Sequence, residues 1–385
     1  MTSIRIPFRA LTVALVACFA VPKQSVSQTA ACGTPLAADD GWKLATPESV
    51  GFDPRSLCQW TEHRIATPRE NIHAVVVARH GAIVFERYFT GDDERLGRPL
   101  GQVAYDRTMA HDMRSISKSV TSLLVGIALD QKKIASLDQP VFDFFPEYGD
   151  LRTPEKERIK LRDLLTMSAG FAWDETLTPY TDPNNSEIRM NRAVDPYRYI
   201  FSQSIVAVPG AKYNYSGGSA ALLGAIIRKT TGQTIDDFAR AVLFGPLGIT
   251  DFEWVKLPNG DPVADAGLRL KPRDLAKIGQ LVLAHGIWNG RQVVPRTYVD
   301  ESTAPQIQGA GTFFYGYQWW LGRSLVGARE VDWAAGVGLG GQRVVVVPSL
   351  DLIVVMTAGL YTSPLQGSLT IDVLNDYVLS GIHGN

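Results

Sequence analysis

Residues that favour β-strands are concentrated at both ends of this 385-residue chain, and helical patterns fill the part between them. Residues 72–79 and 82–89 are apolar runs on either side of His80 and Gly81, a pattern that predicts a hairpin. Three more strands are predicted towards the C-terminus, at 315–321, 342–347 and 352–356. Strands on both sides of a helical block predict one sheet built from both ends of the chain, with the middle inserted as a second domain.

The middle of the chain shows helical periodicity. From residue 115 to residue 129, apolar side chains recur on one helical face, at Ile116, Val120, Leu123, Leu124 and Ile127. Further helices are predicted at about 160–167, 219–230, 235–244 and 273–285, with a closing helix from about 368. Thr234 and Asp237 are spaced as a capping box. Residues 174–198 are rich in Pro, Asn, Asp and Tyr, which predicts a long irregular stretch of the kind that often forms a cleft wall.

Composition excludes several classes of protein. The chain has 38 Lys and Arg against 39 Asp and Glu and no basic run, so nucleic acid is not an expected partner. The motifs HExxH, GxxxxGK and GxSxG are absent. Residues 336–341 match the dinucleotide-binding motif GxGxxG, but a strand follows them instead of the helix that this motif requires, so we do not expect dinucleotide binding. None of the six histidines lies at ligand or triad spacing. We therefore expect them to be ordinary surface or core residues, and we expect no metal or cofactor.

The first 27 residues have the features of a secretory signal. Arg5 and Arg9 precede an apolar run at 11–21, and the small residues Ser25 and Ser27 form a small-x-small site that suits cleavage. The run is shorter than the roughly 20 residues of a membrane-spanning helix, and no other segment is long enough. We expect a periplasmic or secreted protein; a buried N-terminal helix is the alternative. Cys18 lies in a sequence similar to a lipoprotein box, which leaves a lipid anchor open.

Two cysteines, Cys32 and Cys58, would remain after cleavage. An even number in an oxidising compartment predicts a disulfide, and two buried thiols are the alternative.

Ser115 and Lys118 form an SxxK pattern at the start of the first long helix. Residues three apart share a helical face with about 5 to 6 Å between Cβ atoms, so the amine can reach the hydroxyl. Lysine can act as the base if burial and a neighbouring cation lower its pKa. The helix dipole favours negative charge developing on Ser115. The alternative is an ordinary capped surface helix.

Two further elements fit the same chemistry. Tyr215 lies in a turn that enters a helix, and a tyrosine near ammonium groups ionises more easily than usual, so it could take the proton of Ser115. The glycine-rich run 338–342 leads into a strand, where a backbone amide can serve as an oxyanion donor. The alternatives are a core tyrosine and a plain turn.

Together these motifs resemble the serine β-lactamase-like, penicillin-recognising hydrolases: class C β-lactamases, D-alanyl-D-alanine carboxypeptidases, family VIII esterases and 6-aminohexanoate-oligomer hydrolases. The resemblance spans about residues 45–360 and includes LLTMSAGF at 164–171, RDLAKIG at 273–279 and YQWW at 317–320. It implies a three-layer α/β/α sandwich with an antiparallel sheet, formed by 28–110 and 266–385, and an inserted all-helical domain at 111–265. The active site would lie in the groove between them.

The resemblance also implies residue roles. Ser115 would be the nucleophile, Lys118 and Tyr215 would handle protons, and the backbone amides of Ser115 and Gln342 would form the oxyanion hole. No metal or cofactor is implied. Which of Lys118 and Tyr215 is the resting base stays open.

Two departures from the family pattern bear on the substrate. Gly217 replaces the Asn that helps to hold a β-lactam amide, and Leu339, Gly340 and Gly341 replace Lys-Thr-Gly. Losing a charge-assisted contact costs roughly 1.5 to 3 kcal/mol. We therefore expect weak β-lactamase activity and a small-molecule substrate that is a carboxylic ester or a linear amide, including 6-aminohexanoate-oligomer-like molecules.

Three other residues are candidates for substrate contact. Asp174 could meet a substrate amine, with a helix or turn cap as its alternative role, and Trp319 and Trp320 could line the pocket, with core positions as the alternative. The alternative functions are a β-lactamase or D-alanyl-D-alanine carboxypeptidase and a catalytically silent sensor.

Overall fold

The computed structural model describes residues 32–257 and 259–382. The predicted signal at 1–27 and the Cys18 anchor lie outside these residues. Within the described ranges, no helix combines the length and the apolar character that crossing a membrane requires.

A nine-stranded sheet forms the centre of the molecule, in the order β1-β3-β2-β16-β15-β14-β13-β12-β11. The strands are β1 (Lys43–Leu44), β2 (Ile72–Arg79), β3 (Ala82–Tyr88), β4 (Thr90–Arg95), β5 (Arg98–Ala104), β6 (His111–Asp112), β7 (Glu253–Trp254), β8 (Leu268–Leu270), β9 (Ile287–Trp288), β10 (Arg291–Gln292), β11 (Ile307–Gln308), β12 (Phe314–Tyr315), β13 (Trp320–Val326), β14 (Arg329–Gly338), β15 (Gln342–Val347) and β16 (Leu352–Ala358). Neighbours in the large sheet are antiparallel except for β1, which runs parallel to β3. The predicted sheet from both ends of the chain is therefore confirmed.

Helices cover both faces of this sheet because its central strands are apolar on both sides. The α-helices are α1 (Pro54–Ala66), α2 (Ile116–Asp130), α3 (Leu161–Leu165), α4 (Ser186–Arg192), α5 (Pro196–Ser202), α6 (Gly217–Thr231), α7 (Ile235–Ala239), α8 (Pro272–Leu283), α9 (Arg296–Ser302) and α10 (Ser368–Asp372). Wider turns at Arg240–Phe244 and Val373–Val378 continue α7 and α10. Alternate residues of β2 enter two different cores: Val76 faces the side of α2 and α8, and Val75 faces α1 and the C-terminal helices. This is the expected α/β/α sandwich.

The helical region between β6 and β8 is built around α2, which packs on α6 and is buried along nearly its whole length. The predicted hairpin and helices form close to their expected bounds. The region is not wholly helical, since β6 and β7 pair with β8 in a small sheet. The disulfide partners Cys32 and Cys58 are bonded, with 5.0 Å between their Cα atoms, and they tie the N-terminal segment to α1.

Three local predictions were wrong. Residues 174–198 contain the helix α4 and the start of α5 rather than one irregular stretch. The strand predicted at 315–321 is divided into β12 and β13 by a turn in which Gln318 has a φ of 65°. Thr234 does not complete a capping box, because its hydroxyl donates to the carboxylate of Asp237 at 2.8 Å.

Candidate active site

Ser115 stands where the chain turns from β6 into α2. Arg114, the residue before it, has a φ of 50°, in the left-handed region that non-glycine residues rarely adopt. Ser115 directly precedes the first residue of the 15-residue helix α2, at the positive end of its dipole, and its side chain is half-buried. The turn thus places the hydroxyl at the helix N-terminus with one side open.

Lys118 reaches back from the first turn of α2 to Ser115. Its Nζ donates to Ser115 Oγ at 3.0 Å and to the backbone oxygen of Asp265 at 3.0 Å. The side chain is only 1 % exposed, which is rare for lysine. The SxxK spacing therefore produces the contact that the sequence predicts.

Tyr215 completes the group. It precedes Ser216, the N-cap of α6, and its hydroxyl is hydrogen-bonded to Ser115. Lys118 Nζ lies 5.0 Å from the centre of the Tyr215 ring. The structure thus brings Ser115, Lys118 and Tyr215 into mutual contact.

Three buried carboxyl groups, Glu175, Glu187 and Asp265, lie behind Lys118, and we refer to them as the acidic cluster. They surround the space where a side chain at Gly217 would begin: a Cβ there would be 3.0 Å from Asp265 Oδ2 and Glu187 Oε2 and 3.1 Å from Glu175 Oε2. All three are less than 9 % exposed. A side chain at position 217 would therefore press against all three carboxyl groups, which would have to shift to admit it.

Glu175 is the best-bonded member of the acidic cluster. Its Oε2 accepts from Trp173 Nε1 at 2.7 Å and from the Gly217 amide at 2.5 Å, and its Oε1 accepts from the Tyr180 hydroxyl at 3.0 Å. The same Oε1 lies 3.8 Å from Lys118 Nζ. Glu175 is therefore held as a buried carboxylate facing the ammonium.

The acidic cluster contains more carboxyl groups than Lys118 can neutralise. Burial and the neighbouring Glu175 raise the pKa of Glu187 well above its usual value, and burial also raises the pKa of Asp265. Glu187 is hydrogen-bonded to both of the other two, which requires a proton between carboxyl oxygens. The raised pKa of Glu187 therefore favours its protonated form relative to an ordinary glutamate.

The charges of the acidic cluster contribute to pKa values of Lys118 and Tyr215 that are shifted in the direction opposite to the sequence prediction. Burial disfavours the ammonium of Lys118, but Tyr215 and the facing carboxylates outweigh burial and raise its pKa. Burial raises the pKa of Tyr215 as well, although Lys118 opposes this. The sequence predicted lowered values because the carboxylates that meet at this point are far apart in the chain.

Ser115 and Tyr215 lie on the wall of a pocket of about 210 Å³. Its wall is formed by Ser115, Thr176, Tyr180, Tyr215, Trp320, Val337, Gly338, Leu339, Arg343 and Gln366. Aromatic rings make up much of this wall, and the Trp320 ring centre lies 5.9 Å from that of Tyr215. The pocket suits a small substrate with apolar parts.

Arg343 brings a cation to the same wall. Its guanidinium donates to the backbone oxygens of Gln342 at 2.8 Å and of Gly338 at 3.3 Å. Among the described residues, no carboxylate lies within 4.0 Å of it. Burial lowers the pKa of Arg343 to about 10, so it is still charged at neutral pH.

Two predicted contact residues lie elsewhere. Trp319 is fully buried, whereas its neighbour Trp320 lines the pocket, because successive residues here point to opposite sides. Asp174 caps a turn, accepting from the amides of Leu177 and Thr178, and does not line the pocket.

The residues of the glycine-rich turn 338–342 lie partly on the pocket wall and partly in the core. Leu339 lines the pocket, while Gly340 and Gly341 have φ values of 87° and 96°, which explains why glycine is needed there. Gln342 is not among the pocket residues. Its side-chain amide donates to the backbone oxygen of Ala358 at 2.6 Å, in the interior of the sheet.

The sequence indicated Trp320 as a pocket residue, but it did not point to the acidic cluster or to Arg343. Glu175 directly follows Asp174, which was selected, so the segment was recognised but the wrong carboxylate was chosen. No pattern in the sequence links Glu187 and Asp265 to Lys118, because their proximity depends on how α4 and the segment before β8 pack against α2.

A family model described as Beta-lactamase matches residues 66–368. The chain is 25% identical over 267 residues to the 6-aminohexanoate-dimer hydrolase of Paenarthrobacter ureafaciens, covering 64% of this chain and 65% of that protein. It is 25% identical over 187 residues to Esterase EstB of Burkholderia gladioli, covering 47% of this chain and 46% of that protein. The matched part is thus under two thirds of either relative.

A solved structure shows the same fold. The penicillin binding protein from Bacillus halodurans superposes with a TM-score of 0.61 at 19% sequence identity, covering 81% of this chain and 99% of that one.

Proposed function

The chain belongs to the beta-lactamase family, and on that premise we propose that it is a serine hydrolase that cleaves a carboxylic ester or a linear amide. The observation that carries the proposal is the contact between Lys118 Nζ and Ser115 Oγ at 3.0 Å, at the N-terminus of a buried helix and on the wall of a pocket.

The reaction would proceed through an acyl-enzyme. Ser115 Oγ attacks the carbonyl carbon and its proton passes to the pair of Lys118 and Tyr215. The same pair returns a proton to the departing alcohol or amine. Water then attacks the ester on Ser115 and gives a proton to the pair, and the pair returns this proton to Ser115 Oγ as the acid is released. Because Lys118 is held as an ammonium, the acceptor of the Ser115 proton would be Tyr215 in its phenolate form, whose negative charge Lys118 stabilises.

The oxyanion would be held by backbone amides. The amide of Ser115 is one candidate. For the second, Leu339 is better placed than Gln342, since it lies on the pocket wall together with Ser115.

The pocket favours substrates other than β-lactams. The acidic cluster occupies the space that an Asn at position 217 would need, and the Lys of Lys-Thr-Gly is replaced by Leu339. The named relatives are an esterase and a 6-aminohexanoate-dimer hydrolase. Arg343 offers a charge partner for the carboxylate that a linear 6-aminohexanoate oligomer carries, so such oligomers are included in the proposal.

We also propose that the protein acts in the periplasm or outside the cell. The bond between Cys32 and Cys58 supports this, because disulfides persist in oxidising compartments.

Labelling with a fluorophosphonate tests the nucleophile. We expect one adduct on Ser115 and none in Ser115→Ala. Ser119→Ala is the matched control, because Ser119 lies one turn further along α2 and bonds to the backbone oxygen of Gln318, away from the pocket. No adduct in the wild type, or an equal adduct in Ser115→Ala, would contradict the proposal and favour a silent sensor.

A substrate panel then tests the reaction class. We expect turnover of p-nitrophenyl esters or of a linear aminohexanoate dimer to exceed that of nitrocefin. Nitrocefin turnover equal to that of the esters would favour a β-lactamase, and release of D-alanine from D-alanyl-D-alanine peptides would favour a carboxypeptidase.

A further inference from the structure

A second buried polar group lies outside the pocket and takes no part in the proposed reaction. It consists of His73 from β2, Asp93 from β4 and His111 from β6, and we refer to it as the histidine cluster. The side chains are at most 5 % exposed, and one ligand atom from each lies within 4.8 Å of the other two. Sequence spacing gave no reason to connect them, because the strands that carry them meet only in the fold.

The outer nitrogen of each imidazole faces an acceptor. His111 Nδ1 lies 3.0 Å from the backbone oxygen of Asp112, and His73 Nε2 lies 3.1 Å from the side-chain oxygen of Asn71. A carbonyl oxygen can only accept, so each outer nitrogen must carry a hydrogen.

The orientation of the Asn71 amide is fixed by its other contacts. Its nitrogen donates to the backbone oxygens of Asp92 at 2.8 Å and Gly359 at 3.0 Å, and its oxygen accepts from the Asp92 amide at 3.0 Å. Exchanging the two amide atoms would break all three contacts. The oxygen of Asn71 therefore faces His73.

The two inner nitrogens are then left with lone pairs. His73 Nδ1 and His111 Nε2 are 2.9 Å apart, and a neutral imidazole has only one N–H, already used on its outer side. Asp93 Oδ1 lies 3.6 Å from His111 Nε2. Two lone pairs and a carboxylate thus face one another within 4.8 Å, an arrangement that a metal ion or an additional proton would stabilise.

The surroundings match those of a bound metal. Ligating histidines donate their other N–H to a carbonyl or carboxylate, and ligating carboxylates are themselves hydrogen-bonded. Asp93 accepts from the hydroxyl of Tyr361 at 2.7 Å and also from that of Tyr105. Every outer contact expected around a metal site is present.

We propose that His73, Asp93 and His111 form a buried site for a divalent transition metal, with zinc as the ion that their chemistry suits. Two imidazoles and one carboxylate are common zinc ligands, and imidazole disfavours magnesium and calcium. Zinc–nitrogen distances of about 2.0–2.1 Å put two ligand nitrogens roughly 2.9 to 3.3 Å apart for angles between about 90° and 109°. The inner nitrogens lie at the lower end of this range.

The site would act on the fold near Ser115 rather than on the substrate. It joins the sheet strand β2 to β4 and to β6, and His111 lies four residues before Ser115 in the segment that turns into α2. A metal here would hold that segment against the sheet. The inference is independent of the proposed hydrolase activity, because a metal can be retained whether or not Ser115 reacts.

Metal analysis of the full chain tests the proposal directly. After expression in zinc-supplemented medium, we expect about one zinc ion per chain by plasma mass spectrometry. Removal with dipicolinate should lower the melting temperature by several degrees, and zinc chloride alone should restore it. Cobalt chloride added to the stripped protein should give a visible d–d absorption band. These measurements on the wild type do not depend on whether a variant folds.

Variants then locate the ion. Asp93→Asn and His111→Asn should lose the zinc and the response to dipicolinate. His80→Asn is the matched control, because its exposed ring lies at the tip of the β2–β3 hairpin and bonds to Asp351. Ser115→Ala should keep the zinc, which separates this test from that of the proposed function.

The proposal is overturned if the wild type contains no metal and its melting temperature responds neither to dipicolinate nor to zinc. In that case an additional proton would occupy the cluster, and ¹⁵N spectra would show one imidazolium. Equal zinc retention in the Asp93 and His111 variants would place the ion elsewhere and would also overturn it.

Discussion

The acidic cluster faces Lys118, three residues after Ser115, and the histidine cluster contains His111, four residues before Ser115. The two clusters differ in the kinds of buried group that they combine. The first sets one ammonium against three carboxyl groups and opens into a pocket through Ser115. The second places two imidazoles and a carboxylate around the proposed metal position, and its side chains are buried. Buried polar groups must be satisfied, so the first cluster retains protons and the second is proposed to retain a metal.

The requirement that buried polar groups be satisfied produces different chemistry in the two clusters. Burial and the neighbouring Glu175 raise the pKa of Glu187, and the negative charge of the cluster raises the pKa of Lys118. Imidazoles whose outer nitrogens are committed to carbonyl oxygens can offer only lone pairs inward. Tyr361 connects the histidine cluster to the glycine-rich turn beside the pocket: its hydroxyl bonds to Asp93, and its ring lies against Gly340.

The largest expected effect comes from removing the cation of the first region. Lys118→Met should reduce turnover of an accepted ester by on the order of 10³-fold or more. It should also destabilise the protein by about 3–5 kcal/mol, because carboxylates are left buried without a partner. Lys277→Met is the matched control: Lys277 is equally buried and pairs with Asp274 at 2.9 Å outside the pocket. It should cost stability while leaving turnover per folded molecule intact. Equal loss of turnover in both would contradict the assigned role.

A second variant tests whether the acidic cluster excludes the β-lactam contact. Gly217→Asn should destabilise the protein by about 1–3 kcal/mol through overpacking, without increasing nitrocefin hydrolysis. Urea unfolding and nitrocefin assays measure the two effects. Gly149→Asn is a suitable control, since no atom lies within 4 Å of the Cβ position there. A stable Gly217→Asn protein with raised nitrocefin activity would show that the space is available.

A variant of Tyr361 should separate zinc binding from the reactivity of Ser115. Tyr361→Phe removes a hydroxyl from Asp93 but keeps the ring beside Gly340, so zinc affinity should fall about 10-fold or more, while fluorophosphonate labelling of Ser115 should hardly change. Competition with a chromogenic chelator measures the affinity. A loss of labelling with unchanged zinc binding would reverse the assignment.

The smallest expected effect is a displacement of the pH profile. Glu175 raises the pKa values of Lys118 and Tyr215, so the rise of kcat/KM that accompanies loss of a proton from this pair lies in the alkaline range. Glu175→Gln removes a negative charge, lowers both pKa values and should move the rise to lower pH by about 1 unit. Glu157→Gln, at an exposed position, should leave the profile in place. A shift to higher pH would contradict the electrostatic role of Glu175.

Much of the fold could be predicted because its signals are local. The valine-rich runs of β2, β15 and β16 and the apolar stripe of α2 are visible in the sequence. The strand β14 gave a weaker signal because it carries glycines where α2 packs closely: a Cβ at Gly336 would lie 3.3 Å from Ile116. The sequence offered both Trp319 and Trp320 for the pocket, and only the fold shows that Trp320 lines it while Trp319 is buried.

The sequence by itself determined the sheet from both ends of the chain, the helix that begins at Ser115 and the contact between Ser115 and Lys118, since these follow from periodicity and spacing along one element. The tertiary structure alone decided the charge around Lys118, the filled space at Gly217 and the meeting of His73 with His111. These depend on residues from separate elements, and Coulomb and hydrogen-bond energies are set by distances in space rather than along the chain.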